Sequence, residues 1–159
     1  EYKFWIERDL SEAVHDRQRG NMVRAKASVA PYSKQTTRIS DGEFLPGIIA
    51  QMSPGHTPGH NTWTIEGGSD SVMIWGDTIH MDFLQLQNPD IAFIFDSDPQ
   101  QAIASRKRLL DQTSADKTRI AGMHLDFPGF GFVKRRDGRR GLDRGNEDRE
   151  VLAVAVDNP

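Results

Sequence analysis

The chain has 159 residues, with 20 basic and 23 acidic side chains and a formal net charge of −3, a balance that gives neither a nucleic acid nor an anionic membrane surface a reason to bind. With 36% hydrophobic and 27% charged residues it has the composition of one globular domain, and it contains no apolar run of about 18 residues that could span a bilayer. Cysteine is absent, so disulfides and thiolate metal sites are excluded and any metal must be held by nitrogen and oxygen ligands.

Taken in chain order, the first 35 residues read as helix. Phe4, Trp5, Leu10, Ala13, Val14, Met22, Val23, Ala25 and Ala27 interleave with charge until Pro31 closes the run. From Thr37 the texture changes to short strand-like segments, "TTRI" and then "GIIAQM". The stretch "SPGHTPGH" over residues 53–60 follows. Its prolines and glycines fix a loop rather than a helix or a ladder, and it holds two imidazoles. "NTWTI" and "SVMIW" are predicted strands joined by the turn "EGGSD". A helix is predicted after "IAFIFD", with Asp98 as N-cap, Pro99 at the first helical position and Gln101 near the capping-box site. Ala102, Ile103, Leu109 and Leu110 give it a buried stripe. "RIAGM" is a short strand ending at His124, and "FPGFGFV" supplies a rigid loop and one more strand. Residues 134–150 carry seven basic and five acidic side chains, a composition expected to be solvated or disordered rather than to build core. "VLAVAV" beyond them reads as an edge strand.

Three polar residues share one context. His56 follows "GIIAQMSPG", Asp77 follows "SVMIWG" and His124 follows "RIAGM". Each stands where an apolar strand ends, and strand ends in a layered α/β protein lie along one rim of the sheet, where ligand sites are built. Two imidazoles and a carboxylate at that rim suit a divalent cation, and a carboxylate can bridge two. For each residue taken singly a plain turn role competes with ligation. Ser53 and Ser114 have no base in a recognisable neighbourhood, which leaves nucleophilic serine chemistry without support.

"PGHTPGHNTW", "IWGDTIH", "LQLQNPDI", "FDSDPQQAIASRKR" and "HLDFPGFG", in that order, resemble the second half of the metallo-β-lactamase superfamily, and within it the methyl parathion hydrolase branch. The resemblance covers residues 1–134. It implies an α/β layered fold, a partial αββα sandwich consisting mainly of its C-terminal βα half, followed by a charged irregular tail over residues 135–159. It also implies two metal ions, usually zinc, and hydrolysis of an ester, lactone or phosphotriester by a metal-activated water. By position His56 resembles the histidine ligand of the first metal, Asp77 the carboxylate bridging both, and His124 the histidine of the second. His60 resembles a group that orients the loop or a ligand from outside the ligand shell, and His80, Trp5 and Phe83 are candidates for the pocket wall.

The H-x-H-x-D-H motif that supplies the remaining ligands in that family does not occur in this sequence. Three of that family's seven protein ligands are therefore present. The expectation is that this chain alone binds zinc weakly and is inactive or nearly so, and that its exposed sheet face seeks a second copy or the missing N-terminal half. The substrate is expected to be a small molecule. A non-catalytic fragment or pseudoenzyme acting as an interaction module is the alternative. Because the chain opens on Glu1 rather than methionine, targeting information is expected to be missing, which leaves cytoplasm and periplasm open.

Overall fold

The computed structural model describes residues 1–136 and 138–145. Its centre is a seven-stranded sheet in which spatial order equals sequence order. The strands are β1 (Gly42–Leu45), β2 (Ile48–Met52), β3 (Asn61–Gly67), β4 (Asp70–Ile74), β5 (Arg119–Ala121), β6 (Phe130–Arg136) and β7 (Arg139–Asp143). All neighbours are antiparallel except β4 and β5. That one parallel pair requires a crossover. The chain between them carries the short helix α2 (Asp82–Gln85) and the long helix α3 (Pro99–Ala115), both preceded in sequence by α1 (Asp16–Val29).

The start of α3 follows its sequence signals. Asp98 accepts a hydrogen bond from the Gln101 amide at 3.0 Å, and Pro99 opens the helix. Its inward stripe includes Ala102, Leu109 and Leu110, and Leu110 joins Trp75, Ile79, Leu86, Ile120, Leu125 and Val133 in the core. The strand registers put Thr62, Met73, Ile120 and Val133 on the face beneath α3, and all four are buried. The opposite face presents Trp63, Ile65, Ile74, Phe130 and Phe132 by the same alternation. These side chains are only partly covered: Ile65 is 39% and Phe130 50% exposed. One face of the sheet is a finished core and the other is not.

Two expectations need correction. The first 35 residues are not one helical run. A π-helical turn (Lys3–Glu7) and a 3-10 turn (Leu10–Glu12) precede α1. The cause is local: Asp9 and Glu12 form a capping box and His15 caps α1 through Nδ1, so the chain restarts twice. Lys26 then ties α1 to the opening segment by donating to the carbonyls of Ile6 and of Arg8, the latter at 2.7 Å. "TTRI" forms no strand; the first strand begins at Gly42.

The charged stretch beyond Lys134 also departs from the irregular tail expected of it, because Arg139–Asp143 pair with β6 as a strand. Its charged side chains meet fixed partners. By the register Arg135 and Arg140 share the α3 face with Val133 and Leu142, and both meet Asp111 on α3, while Arg144 meets Asp82 at 2.7 Å and Leu142 packs on the core. The predicted "VLAVAV" strand lies outside the described residues. Among the described residues no helix is long and apolar enough to cross a membrane.

Candidate metal centre

The loop over residues 53–60 is held at the sheet rim by its own backbone. Ser53 N–H donates to His60 O at 2.8 Å, closing the loop where β2 leaves and β3 enters. Asp98 N–H and Ser97 N–H donate to Gly55 O and His56 O at 2.9 and 3.0 Å, joining the loop to the segment that starts α3. Gly55 has φ +129°, and a Cβ there would lie 2.0 Å from the Ala102 nitrogen, so only glycine lets the loop lie this close to α3. The stiffness of "SPGHTPGH" therefore aims His56.

His56, Asp77 and His124, from three strand ends, converge. His56 Nε2 stands 3.1 Å from Asp77 Oδ2, and His124 Nε2 stands 3.2 Å from Asp77 Oδ1. Each imidazole thus faces its own oxygen of one carboxylate. Ligands of a tetrahedral zinc, each about 2.0–2.1 Å from the metal, are about 3.3 Å apart, so the spacing and chemistry of both pairs suit a divalent cation. His80 lies between the two rings, 4.8 Å from the His56 ring centroid and 4.7 Å from that of His124, and stacks on Phe93 at 4.4 Å. Two triads emerge whose ligand atoms lie within 4.8 Å of one another: His56, His80 and Asp96, and Asp77, His80 and His124.

His60 occupies a different position. Its Nε2 accepts from the Asp77 amide at 3.0 Å, and its Nδ1 donates to Ser53 O at 3.1 Å, with Ser53 Oγ 2.8 Å away. Both nitrogens are engaged, which leaves no lone pair for a cation and fixes the backbone at Asp77. Gly76, φ +55°, makes room: a Cβ there would lie 2.6 Å from His60 Nε2. Trp5 reaches the cleft above the site. Phe83 does not; it is 64% exposed on α2. The cleft has a volume of about 990 Å³, with apolar walls that include Phe4, Trp5, Phe93, Ile94 and Phe95, and the three converging residues open into it.

Asp96 is the residue that sequence reading missed. Its side chain is fully buried, and its Oδ1 accepts from His56 Nδ1 at 3.1 Å. Its Oδ2 accepts from the Phe93 amide at 2.9 Å and faces Arg106 Nη2 at 3.6 Å. Arg106, 1% exposed, also donates to the carbonyls of Thr78, Pro89 and Ile91 at 2.8–2.9 Å. In "IAFIFDSDPQQ" the acid at 98 caps the helix, and the acid at 96, two residues earlier, is the signal for this second carboxylate.

These contacts set the protonation states. Hydrogen bonds to Asp77 and then Asp96 raise the His56 pKa to about 9 against its burial, and the same His56 bond holds Asp77 down at about 2. Burial, reinforced by the neighbouring imidazoles of His56 and His124, pushes His80 down to about 4. Burial opposes ionisation of Asp96, yet His56, the Phe93 amide and Arg106 together keep its carboxyl below the ordinary range.

No family model matches the chain, and no curated protein matches it. Solved structures do. AidC, a dizinc quorum-quenching lactonase in complex with a product, superposes with a TM-score of 0.79 at 29% identity, over 89% of this chain and 51% of that one. AbOPH, a hydrolase of the beta-lactamase superfamily, gives 0.77 at 26% identity, over 90% and 52%. A probable metal-dependent hydrolase from Staphylococcus aureus gives 0.55 at 27%, over 71% and 42%. The architecture is a partial metallo-β-lactamase fold, and its structural neighbours are metal-dependent lactonases and hydrolases of that superfamily. The chain spans about half the length of the neighbours it matches best in these figures.

Proposed function

We propose that the chain is the C-terminal portion of a metal-dependent hydrolase that cleaves an ester, a lactone or a phosphotriester of a small molecule, in the manner of the methyl parathion hydrolase-like branch. The observation that carries this reading is the convergence of His56 and His124 on opposite oxygens of Asp77, at 3.1 and 3.2 Å. His56, Asp77 and His124 would hold divalent cations at this rim, with Asp77 offering one oxygen towards each imidazole, and their nitrogen and oxygen donors suit zinc. A bound divalent cation supplies water activated at neutral pH and a counter-charge for the oxygen that gains charge during cleavage. Asp96 and Arg106 hold the His56 ring, His60 holds the Asp77 backbone, and the aromatic cleft takes the apolar part of the substrate. The dizinc lactonase among the neighbours supports zinc and supports the lactone.

Alone, the chain gives each cation too few ligands, so it binds zinc weakly and is inactive or nearly so. The partly covered sheet face, with Trp63, Ile65, Phe130 and Phe132, is covered in the working enzyme by the rest of the fold or by a second copy; an apolar face of that kind drives association. Calorimetric titration of the chain with zinc, followed by assay on an aryl ester, a lactone and a phosphotriester, tests both statements. Weak binding with no turnover is expected. A tight two-zinc isotherm would overturn the half-site reading, and a compact monomer on size-exclusion chromatography would count against the association.

A further inference from the structure

Of the two triads that share His80, only one is free to take a cation. In the triad with His56, the carboxylate is Asp96, whose Oδ1 is taken by His56 Nδ1 and whose Oδ2 is taken by the Phe93 amide and Arg106. Its side chain is fully buried. A cation there would have to displace a guanidinium that lies 1% exposed and donates to three carbonyls. In the other triad Asp77 and His124 are 34% and 43% exposed and face the cleft. His56 engages only Asp77 Oδ2 and leaves Oδ1 to His124. His80 Nδ1 is buried with no hydrogen-bond partner in the described structure, although polar atoms so placed ordinarily have one. The ring stacks on Phe93 and His124 and lies tilted 4.8 Å from the His56 ring.

We propose that this chain holds a single divalent cation through Asp77 Oδ1, His124 and a ring nitrogen of His80, with the fourth position open to the cleft. The inference rests on the hydrolase reading above and adds to it a ligand that the sequence motifs do not supply. Two imidazoles, one carboxylate and an open position make the donor set of a catalytic zinc. The ligand atoms already lie within 4.8 Å of one another, and the exposed His124 ring has room to turn towards an ion. His80 follows Asp77 by three residues across a 3-10 turn (Gly76–Thr78). Gln85 Oε1 fixes the backbone at His80 by accepting its amide at 2.8 Å. The third ligand is thus carried by the same rigid turn as the carboxylate.

Cobalt(II) chloride is the probe, because a tetrahedral cobalt site reports itself by visible absorption as well as by the heat of binding. Wild-type chain is expected to take up one cobalt with a tetrahedral spectrum. His80→Phe keeps the stack between Phe93 and His124 but removes both nitrogens, and it should weaken binding by more than about tenfold, the least that loss of a partner outside the ligand shell typically costs. His80→Ala should do the same, with circular dichroism verifying that both variants stay folded. If His80→Phe and His80→Ala bind as wild type does while Asp77→Asn and His124→Ala lose the ion, His80 is no ligand and this inference fails with the hydrolase reading intact. If wild type takes up no cobalt, this inference fails while the half-site reading stands; if Asp77→Asn and His124→Ala also bind as wild type does, the reading beneath it fails too.

Discussion

The two sides of the His56 ring are built from the same parts to opposite ends. On one side Asp96 is sealed beneath the rim, tied to a backbone amide and to a buried arginine that grips three carbonyls. On the other side Asp77 opens into the cleft, and among the described residues its side-chain oxygens meet only the rings of His56 and His124. A carboxylate in the first setting orients; one in the second can change partners. Metal sites commonly join the two, a ligand imidazole whose other nitrogen donates to a fixed acceptor. The difference lies in what each carboxylate could give up without unfolding the rim.

The largest test of that difference is Arg106→Met. The substitution keeps the volume but leaves Asp96 buried without its cation and three carbonyls without a donor, and breaking such a buried pair costs about 3–5 kcal/mol. Urea denaturation of the metal-free chain should show a loss of that size. A loss no larger than a surface change produces would mean the sealed side is not a fixed frame. Next comes pH. The folded pKa of His56, about 9, lies above its ordinary 6.5 because both carboxylates favour the charged ring. A raised pKa makes a stabilising contribution that is complete below 6.5 and is lost as pH climbs through about 9. Metal-free stability should therefore fall across that window, with a slope of at most about 1.4 kcal/mol per pH unit for one proton. A flat profile would mean that the two aspartates do not share the ring.

Some of this was legible in the sequence, for reasons the residues themselves show. Asp98 before Pro99 announces a helix because capping is a local matter, and the loop over residues 53–60 announces itself because proline and glycine restrict their own backbone. His56, Asp77 and His124 could be placed on one rim because each follows an apolar strand. Asp96 could not, since its role depends on Arg106, about two turns inside α3, and on the depth to which both are buried. Phe83, a candidate for the pocket wall, faces solvent instead, because the four-residue α2 turns it outward. The strand at Arg139–Asp143 was hidden by its charges, which matter less to the fold than the inward-facing Leu142 and the partners Asp111 and Asp82 supply.

Asp96→Asn separates orientation from charge. The amide keeps the size of the carboxylate and can still accept from His56 Nδ1, so the ring should stay in place while one of the two charges that raise its pKa disappears. In an NMR titration of the imidazole signals, His56 should titrate below its wild-type value of about 9 yet above 6.5, because Asp77 remains. A midpoint unchanged from wild type would assign the whole effect to the open side.

The smallest effect on stability belongs to Asp77→Asn in the metal-free chain. Asp77 is about one-third exposed, as its 34% side-chain accessibility states, and its two ion pairs are with histidines that also face the cleft. The His124 pair, exposed on both sides, contributes less than about 1 kcal/mol, and the more buried His56 pair contributes more, since it is the first cause of that ring's raised pKa. The substitution should therefore lower the urea midpoint only modestly, although it should abolish cation binding, whereas Arg106→Met should move the midpoint far more. If Asp77→Asn unfolds the chain as readily as Arg106→Met does, the open side is as much a part of the frame as the sealed one. Asp77 would then be held for the sake of the fold, and a carboxylate fixed in that way is not free to bridge cations.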